Sequence, residues 1–152
     1  MNLKQLNILL ADDDPDDCSF FKEALEGLNI AATLTIVNDG EELMELLNNE
    51  EGEDNYAPLP DVIFLDINMP RKNGYECLAE IKKNKKLQDL PVVIFSTSNA
   101  QDKISLLFKI GAQVYIHKPR DFEQLKQVIN HALPMAVEKV ASKSQLKYIL
   151  NA

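Results

Sequence analysis

The sequence predicts an α/β fold in which a parallel sheet carries helices on both faces. Five short runs rich in Val, Ile and Leu are each followed by a segment with helical apolar spacing. The runs are almost continuously apolar, as expected for strands that are buried on both faces. The 152 residues match the usual size of one domain. We therefore predict a single doubly wound α/β domain with five strands.

The predicted strands end at polar or turn-forming residues and are rich in β-branched side chains. They are residues 8–11, 33–37, 61–66, 91–95 and 113–117. The acidic stretch 49–60, between the second helix and the third strand, is interpreted as a surface loop.

Helix-start signals follow the strands. Asp14 is expected to cap the first helix, with Pro15 at its first position. Asp39-Gly40 leads into the second helix, and Asp121 with Gln124 has the spacing of a capping box for the fifth. The third and fourth helices are predicted at 74–83 and 101–110, and the fifth through about residue 133.

Pro134 is predicted to end the fifth helix, because proline lacks the N–H that a helix interior needs. The domain would then span residues 1–133, and 134–152 would be a C-terminal extension without a separate output domain. Apolar residues of this extension have helical spacing, namely Val137, Val140, Leu146 and Ile149. Three arrangements stay open: a tail that packs on the domain, one that dimerises, or one that stays mobile.

Composition excludes several classes of function. The chain has 24 acidic and 16 basic residues, a net charge of −8. This charge argues against direct DNA binding and against anionic membrane surfaces. No apolar run approaches the ~20 residues of a spanning helix, and the first residues do not resemble a signal peptide. We expect a cytoplasmic protein in which Cys18 and Cys77 are buried free thiols.

The acidic residues are concentrated near the start of the chain. The first 66 residues hold 17 of the 24 acids and only two bases, and five aspartates lie between positions 12 and 17. Asp14, Asp16 and Asp17 are interpreted as helix-start and solubility residues. Asp12 and Asp13 directly follow the first strand, which makes them candidates for a site.

Polar side chains at strand ends point to one site. In open α/β sheets ligands bind outside the carboxyl ends of the strands, where Asp12, Asp13, Asp66, Ser96 and Lys118 are predicted. Three adjacent carboxylates repel, and a divalent cation such as Mg²⁺ relieves that repulsion. The Lys118 ammonium and the Ser96 hydroxyl suit phosphoryl oxygens. The site is predicted to place a phosphoryl group on a carboxylate.

Four segments together carry a specific resemblance. They are residues 8–13, 61–70 with Gly74, 91–97 and 115–119. In order and spacing they resemble the receiver domain of two-component response regulators, over residues 4 to about 133. The resemblance implies a flavodoxin-like sheet with strand order 2-1-3-4-5 and a stand-alone, chemotaxis-regulator-like protein.

The resemblance also implies roles for single residues. Asp66 would be the phosphoacceptor, and Ser96 and Lys118 would contact the phosphoryl group. Mg²⁺, or Mn²⁺, would be held by Asp13, Asp66 and the Asn68 backbone carbonyl, with Asp12 helping through water.

Further implied roles concern switching. Ser96 and Tyr115 would move together on phosphorylation, and Asn68 and Ser98 would tune hydrolysis of the acyl phosphate. The Lys118–Pro119 peptide is expected to be cis, a conformation that costs only about 0.5–1 kcal/mol before proline.

The expected function is a phosphoacceptor rather than an enzyme, with at most self-catalysed phosphotransfer and slow autodephosphorylation. A histidine kinase or phosphotransfer protein would supply the phosphoryl group, and a downstream protein would recognise the result; homodimerisation through the C-terminal region is left open. One alternative is a haloacid dehalogenase-type phosphatase with Asp12 in its Asp-x-Asp motif, which leaves Asp66 unexplained. Another is a receiver fold that binds proteins without phosphorylation.

Overall fold

The computed structural model describes residues 5–48, 59–98, 100–137 and 148–150. The strands are β1 (Leu6–Ala11), β2 (Ala32–Val37), β3 (Val62–Leu65), β4 (Val92–Ser96), β5 (Val114–His117) and β6 (Tyr148–Leu150). The helices are α1 (Pro15–Glu26), α2 (Gly40–Asn48), α3 (Gly74–Lys83), α4 (Gln101–Ile110) and α5 (Phe122–Val137).

All strands of the sheet are parallel, in the order β2-β1-β3-β4-β5-β6. The predicted doubly wound fold and its 2-1-3-4-5 order are confirmed. The chain moves from β1 to one neighbour, β2, and then returns to the other side of β1 with β3. This reversal places a crevice at the carboxyl ends of β1 and β3, where ligands of such sheets bind.

Two apolar layers cover the sheet. One contains buried side chains of α2, α3 and α4, and the other those of α1 and α5. Neighbouring strand residues face opposite layers, as Leu9 and Leu10 do in β1. This double burial explains why β3 is continuously apolar and why β4 is apolar up to its last residue, Ser96.

The first helix starts as its sequence predicts. Asp14 has extended backbone angles, and its side chain accepts hydrogen bonds from the N–H groups of Asp16 and Asp17. Pro15 occupies the first helical position. Asn73 and Glu76 form a reciprocal capping box at α3, which fixes the chain directly after the loop that follows β3.

The C-terminal region differs from its prediction in two ways. Helix α5 continues through Pro134 to Val137. The proline costs only one hydrogen bond near the helix end, and the burial of Leu133 and Ala136 there offsets this loss. Residues 148–150 form β6, which pairs with β5, instead of a helix. Residues 138–147 and most of the predicted loop 49–60 lie outside the described residues.

Two further observations concern composition. Cys18 and Cys77 are free and buried, as predicted, and burial raises the pKa of each thiol to about 11. Within the described ranges, no helix combines the length and apolar character needed to cross a bilayer.

Candidate functional site

Backbone hydrogen bonds continue one residue beyond the strands and fix the positions of the polar residues. The Asp12 N–H donates to the Val37 carbonyl at 3.0 Å, and the Asp66 N–H donates to the Ala11 carbonyl at 2.9 Å. At the next strand pair, the Lys118 N–H donates to the Ser96 carbonyl at 2.8 Å. The predicted site residues therefore occupy one edge of the sheet.

Three carboxylates form the centre of the site. Asp12, Asp13 and Asp66 each offer one oxygen, and these oxygens all lie within 4.8 Å of one another. Asp12 is fully buried and Asp66 is 7% exposed, whereas Asp13 is exposed. A cluster of oxygen ligands that opens to solvent on one side suits a divalent cation that keeps some of its waters.

Neighbouring main-chain and side-chain groups orient the two buried acids. The Asp14 N–H donates to Asp12 Oδ1 at 3.0 Å, and the Ile67 N–H donates to Asp66 Oδ1 at 2.9 Å. Asn38 donates from Nδ2 to the Asp12 carbonyl at 3.1 Å.

Burial changes the protonation of these acids. It raises the pKa of Asp66 to about 7, against the lowering effect of the Lys118 charge. Burial also raises the pKa of Asp12, which the Asp14 N–H and Lys118 partly oppose. Near neutral pH a nearby cation therefore stabilises the ionised form of these acids.

Lys118 supplies the positive charge of the site. Its Nζ lies 2.9 Å from Asp12 Oδ2, 2.9 Å from Asp17 Oδ2 and 3.7 Å from Asp66 Oδ1. Burial lowers the pKa of Lys118, but the hydrogen bond to Asp17 and the charges of Asp66 and Asp12 outweigh that effect and raise it. The ammonium is thus charged and within reach of a group attached to Asp66.

The hydroxyl residues after β4 connect the site to β5. Ser96 is 1% exposed, and its Oγ accepts a hydrogen bond from the Ser98 N–H at 3.2 Å. The Tyr115 hydroxyl, from a fully buried side chain, donates to the Ser98 carbonyl. The Ser98 residue therefore joins Ser96 and Tyr115, the pair for which a coupled movement is predicted.

The loop after β3 approaches the phosphoacceptor candidate closely. The Gly74 N–H donates to the Ile67 carbonyl at 2.8 Å, and a Cβ atom on Gly74 would lie 2.5 Å from the Asp66 carbonyl oxygen. Asn68 is exposed in the same loop. Its carbonyl as a metal ligand, and its role in hydrolysis together with Ser98, stay predictions.

The expected cis peptide is wrong for this structure. Among the described residues no peptide bond is cis, and the Lys118–Pro119 bond is trans. The trans isomer is intrinsically favoured before proline, and from it the Lys118 side chain still reaches the acids.

Sequence reasoning missed two contributors to the site. Asp17, interpreted as a helix-start residue, binds Lys118, and Asn38 holds the backbone of Asp12. Asp17 gives no signal of this role in the sequence, since its contact depends on the phase of α1 and on the reach of the Lys118 side chain. Asn38 has only its place directly after β2.

A comparison with protein families decides the assignment. Residues 8–130 match the model of the response regulator receiver domain, which is most of the chain. The chain belongs to this family. The receiver fold explains why its acids, hydroxyl residue and lysine all lie at strand ends.

Several similar proteins are response regulators that match this chain over most of their own length. The chain is 35% identical to the response regulator Rcp1 of Synechocystis sp. over 122 residues, which cover 80% of this chain and 82% of Rcp1. The phosphorylated cyanobacterial phytochrome response regulator RcpA has a similar structure, with a TM-score of 0.79 and 34% identity over 90% of this chain and 97% of RcpA. The Mn²⁺-bound form of Rcp1 matches with a TM-score of 0.76 and 32% identity over 89% and 96%.

Proposed function

We propose that this receiver domain accepts a phosphoryl group on Asp66 and passes the signal on by protein contacts. The observation that carries the proposal is the position of the buried Asp66 carboxylate. It lies in a cluster with Asp12 and Asp13 and 3.7 Å from the Lys118 ammonium. An acid that is buried beside both a cation-binding cluster and a fixed lysine is suited to nucleophilic attack on phosphorus.

The proposed transfer conserves atoms and charge. An oxygen of the ionised Asp66 attacks the phosphorus of the donor, the bond from phosphorus to the donor's leaving atom breaks, and the electron pair leaves with the donor. Lys118 offsets negative charge on the phosphoryl oxygens, and the Ser96 hydroxyl donates a hydrogen bond to one of them. Asp66 needs no general base, because it reacts as a carboxylate.

The acidic residues fit Mg²⁺ or Mn²⁺. Asp12, Asp13 and Asp66 would hold the cation, with the Asn68 carbonyl as a further ligand. When bound, the ion supplies positive charge to the transferring phosphoryl oxygens. The Mn²⁺-bound form of Rcp1 and phosphorylated RcpA support the assignment of both the cation and the modification.

The proposal favours Asp66 over Asp12 as nucleophile. Both Asp12 oxygens already accept hydrogen bonds, Oδ1 from the Asp14 N–H and Oδ2 from Lys118. Asp66 has one oxygen bonded to the Ile67 N–H. These contacts support Asp66 over the phosphatase alternative, in which Asp12 would be the nucleophile.

The partners follow from this chemistry. A histidine kinase or phosphotransfer protein would donate the phosphoryl group in the cytoplasm, and a downstream protein would recognise the state in which Ser96 and Tyr115 have shifted. The predicted division into a receiver domain at 1–133 and an extension at 134–152 belongs to the same proposal, although α5 crosses that boundary and ends at Val137. Homodimerisation through the extension is left open.

Phosphorylation by a small donor tests the function. We expect incubation with Mg²⁺ and acetyl phosphate to add one phosphoryl group to the intact mass, and the Asp66→Asn variant to lose this addition. Asp16→Asn, which removes an exposed acid of α1, is the matched control and should be modified like the wild type. Equal modification of the Asp66→Asn variant would contradict the proposal.

A further inference from the structure

We propose that Asp17 is a positioning residue that competes with the phosphorylated Asp66 for the Lys118 ammonium. The inference rests on the proposed function and adds a residue to it. It assigns Asp17 a role in setting how readily the site accepts and keeps a phosphoryl group.

The geometry around Lys118 shows the competition. An ammonium has three N–H donors. Two of them are used at 2.9 Å by Asp12 Oδ2 and Asp17 Oδ2, whereas Asp66 Oδ1 lies at 3.7 Å, beyond hydrogen-bond distance. In this structure Lys118 is therefore directed more closely towards Asp12 and Asp17 than towards Asp66.

The two bonded acids differ in their access to water. The Asp12 side chain is fully buried, whereas the Asp17 side chain is 37% exposed. Water can replace Lys118 at Asp17, so this ion pair breaks at low cost, but Asp12 has no such replacement. When Lys118 moves towards a phosphoryl group, Asp17 is the partner that it leaves.

The start of α1 fixes Asp17 in reach of Lys118. The Asp14 cap accepts a hydrogen bond from the Asp17 N–H at 3.3 Å, and the same cap accepts from the Asp16 N–H at 2.8 Å. Asp16 is exposed, and its carboxylate makes no ion pair with Lys118. Asp16 and Asp17 thus lie in the same helix turn and both are acidic, but of these two only Asp17 binds the Lys118 ammonium.

The comparison of Asp17→Asn with Asp16→Asn tests the inference. Each variant removes one negative charge from the first turn of α1, so the change in net charge is matched. With beryllofluoride as the probe and Mg²⁺ present, calorimetric titration should give about three-fold tighter binding for Asp17→Asn than for Asp16→Asn, the range expected for a partly exposed ion pair. Equal affinity of the two variants, or weaker binding by Asp17→Asn, would overturn the proposal.

A second comparison shows whether Asp17 acts through Lys118. In a Lys118→Met background the additional Asp17→Asn change should leave the affinity for beryllofluoride unchanged, because the competing ammonium is gone. A three-fold effect that persists in this background would overturn the positioning role. Thermal unfolding of each variant checks that the fold is intact.

The mass experiment separates this inference from the proposed function. If the wild type takes up no phosphoryl group from acetyl phosphate, the proposed function fails. If the wild type is modified on Asp66 while Asp17→Asn binds beryllofluoride like Asp16→Asn, only the role of Asp17 fails.

Discussion

Stability and function favour opposite protonation states of Asp66. Asp66 is buried where a carboxylate is poorly solvated, and burial raises its pKa to about 7. The apo protein is therefore stabilised when Asp66 keeps its proton, whereas cation binding and phosphorylation need the ionised form.

This conflict predicts a pH dependence of stability. An unfolded aspartate ionises near pH 3.8 and folded Asp66 near pH 7, so between these values the folded state binds more protons and the contribution of Asp66 to stability falls as the pH rises. In metal-free buffer, the melting temperature of Asp66→Asn relative to wild type should increase from pH 5 to pH 8. A constant difference across that range would contradict the raised pKa.

A second residue-scale prediction concerns the Tyr115 hydroxyl. Tyr115→Phe removes its hydrogen bond to the Ser98 carbonyl, with an expected loss of about 1 kcal/mol of unfolding free energy. Denaturant unfolding measures this loss. Tyr75→Phe is the control, because the Tyr75 hydroxyl makes no hydrogen bond to another described residue, and a loss as large in that variant would argue against the Ser98 bond.

The order of the elements explains which site residues could be predicted. Asp12, Asp66 and Lys118 directly follow apolar runs, so the rule that strand ends meet was sufficient to group them. The contact between Asp17 and Lys118 depends on the phase of α1 and the reach of a long side chain, which no local pattern contains. The trans peptide before Pro119 likewise depends on the surrounding structure, because the two isomers differ little in energy.

The C-terminal elements show a second limit of prediction from the sequence. Pro134 was expected to end α5, but the apolar residues beyond it stay packed, and this burial offsets the lost hydrogen bond. The strand β6 has only three residues. Its pairing with β5 depends on tertiary contacts, which a short apolar run in the sequence does not indicate.

Packing of α3 against the end of β3 gives a prediction at the scale of elements. In Gly74→Ala, the new Cβ would lie 2.5 Å from the Asp66 carbonyl oxygen, and the forced shift should cost about 1–3 kcal/mol of stability. Gly27→Ala is the matched control, since its nearest contact would be a flexible Lys126 carbon at 3.4 Å. Chemical denaturation of both variants checks the difference; equal stability would mean that the loop adapts.

For the whole molecule, charge and stability are coupled at one edge of the sheet. The net charge is −8, and three of the acids lie close enough to repel one another there. A cation that binds the folded state alone stabilises it by mass action.

Magnesium should therefore raise the melting temperature of the wild type in a concentration-dependent way. Asp13→Asn should lose most of this rise, because it removes one of the three carboxylates that would hold the ion. Asp13 is exposed, so its replacement leaves the core packing unchanged. Sodium chloride at matched ionic strength controls for general screening. An equal response of Asp13→Asn to Mg²⁺ would place the cation elsewhere.

The strand β6 has a consequence for self-association. In a five-stranded sheet β5 would present a row of unpaired N–H and C=O groups, which can recruit strands of other molecules. Here β6 pairs with residues 114–116, a buried apolar segment of β5. The C-terminal strand therefore shields a potential aggregation template, and a protein that docks on this side meets β6 before it meets β5.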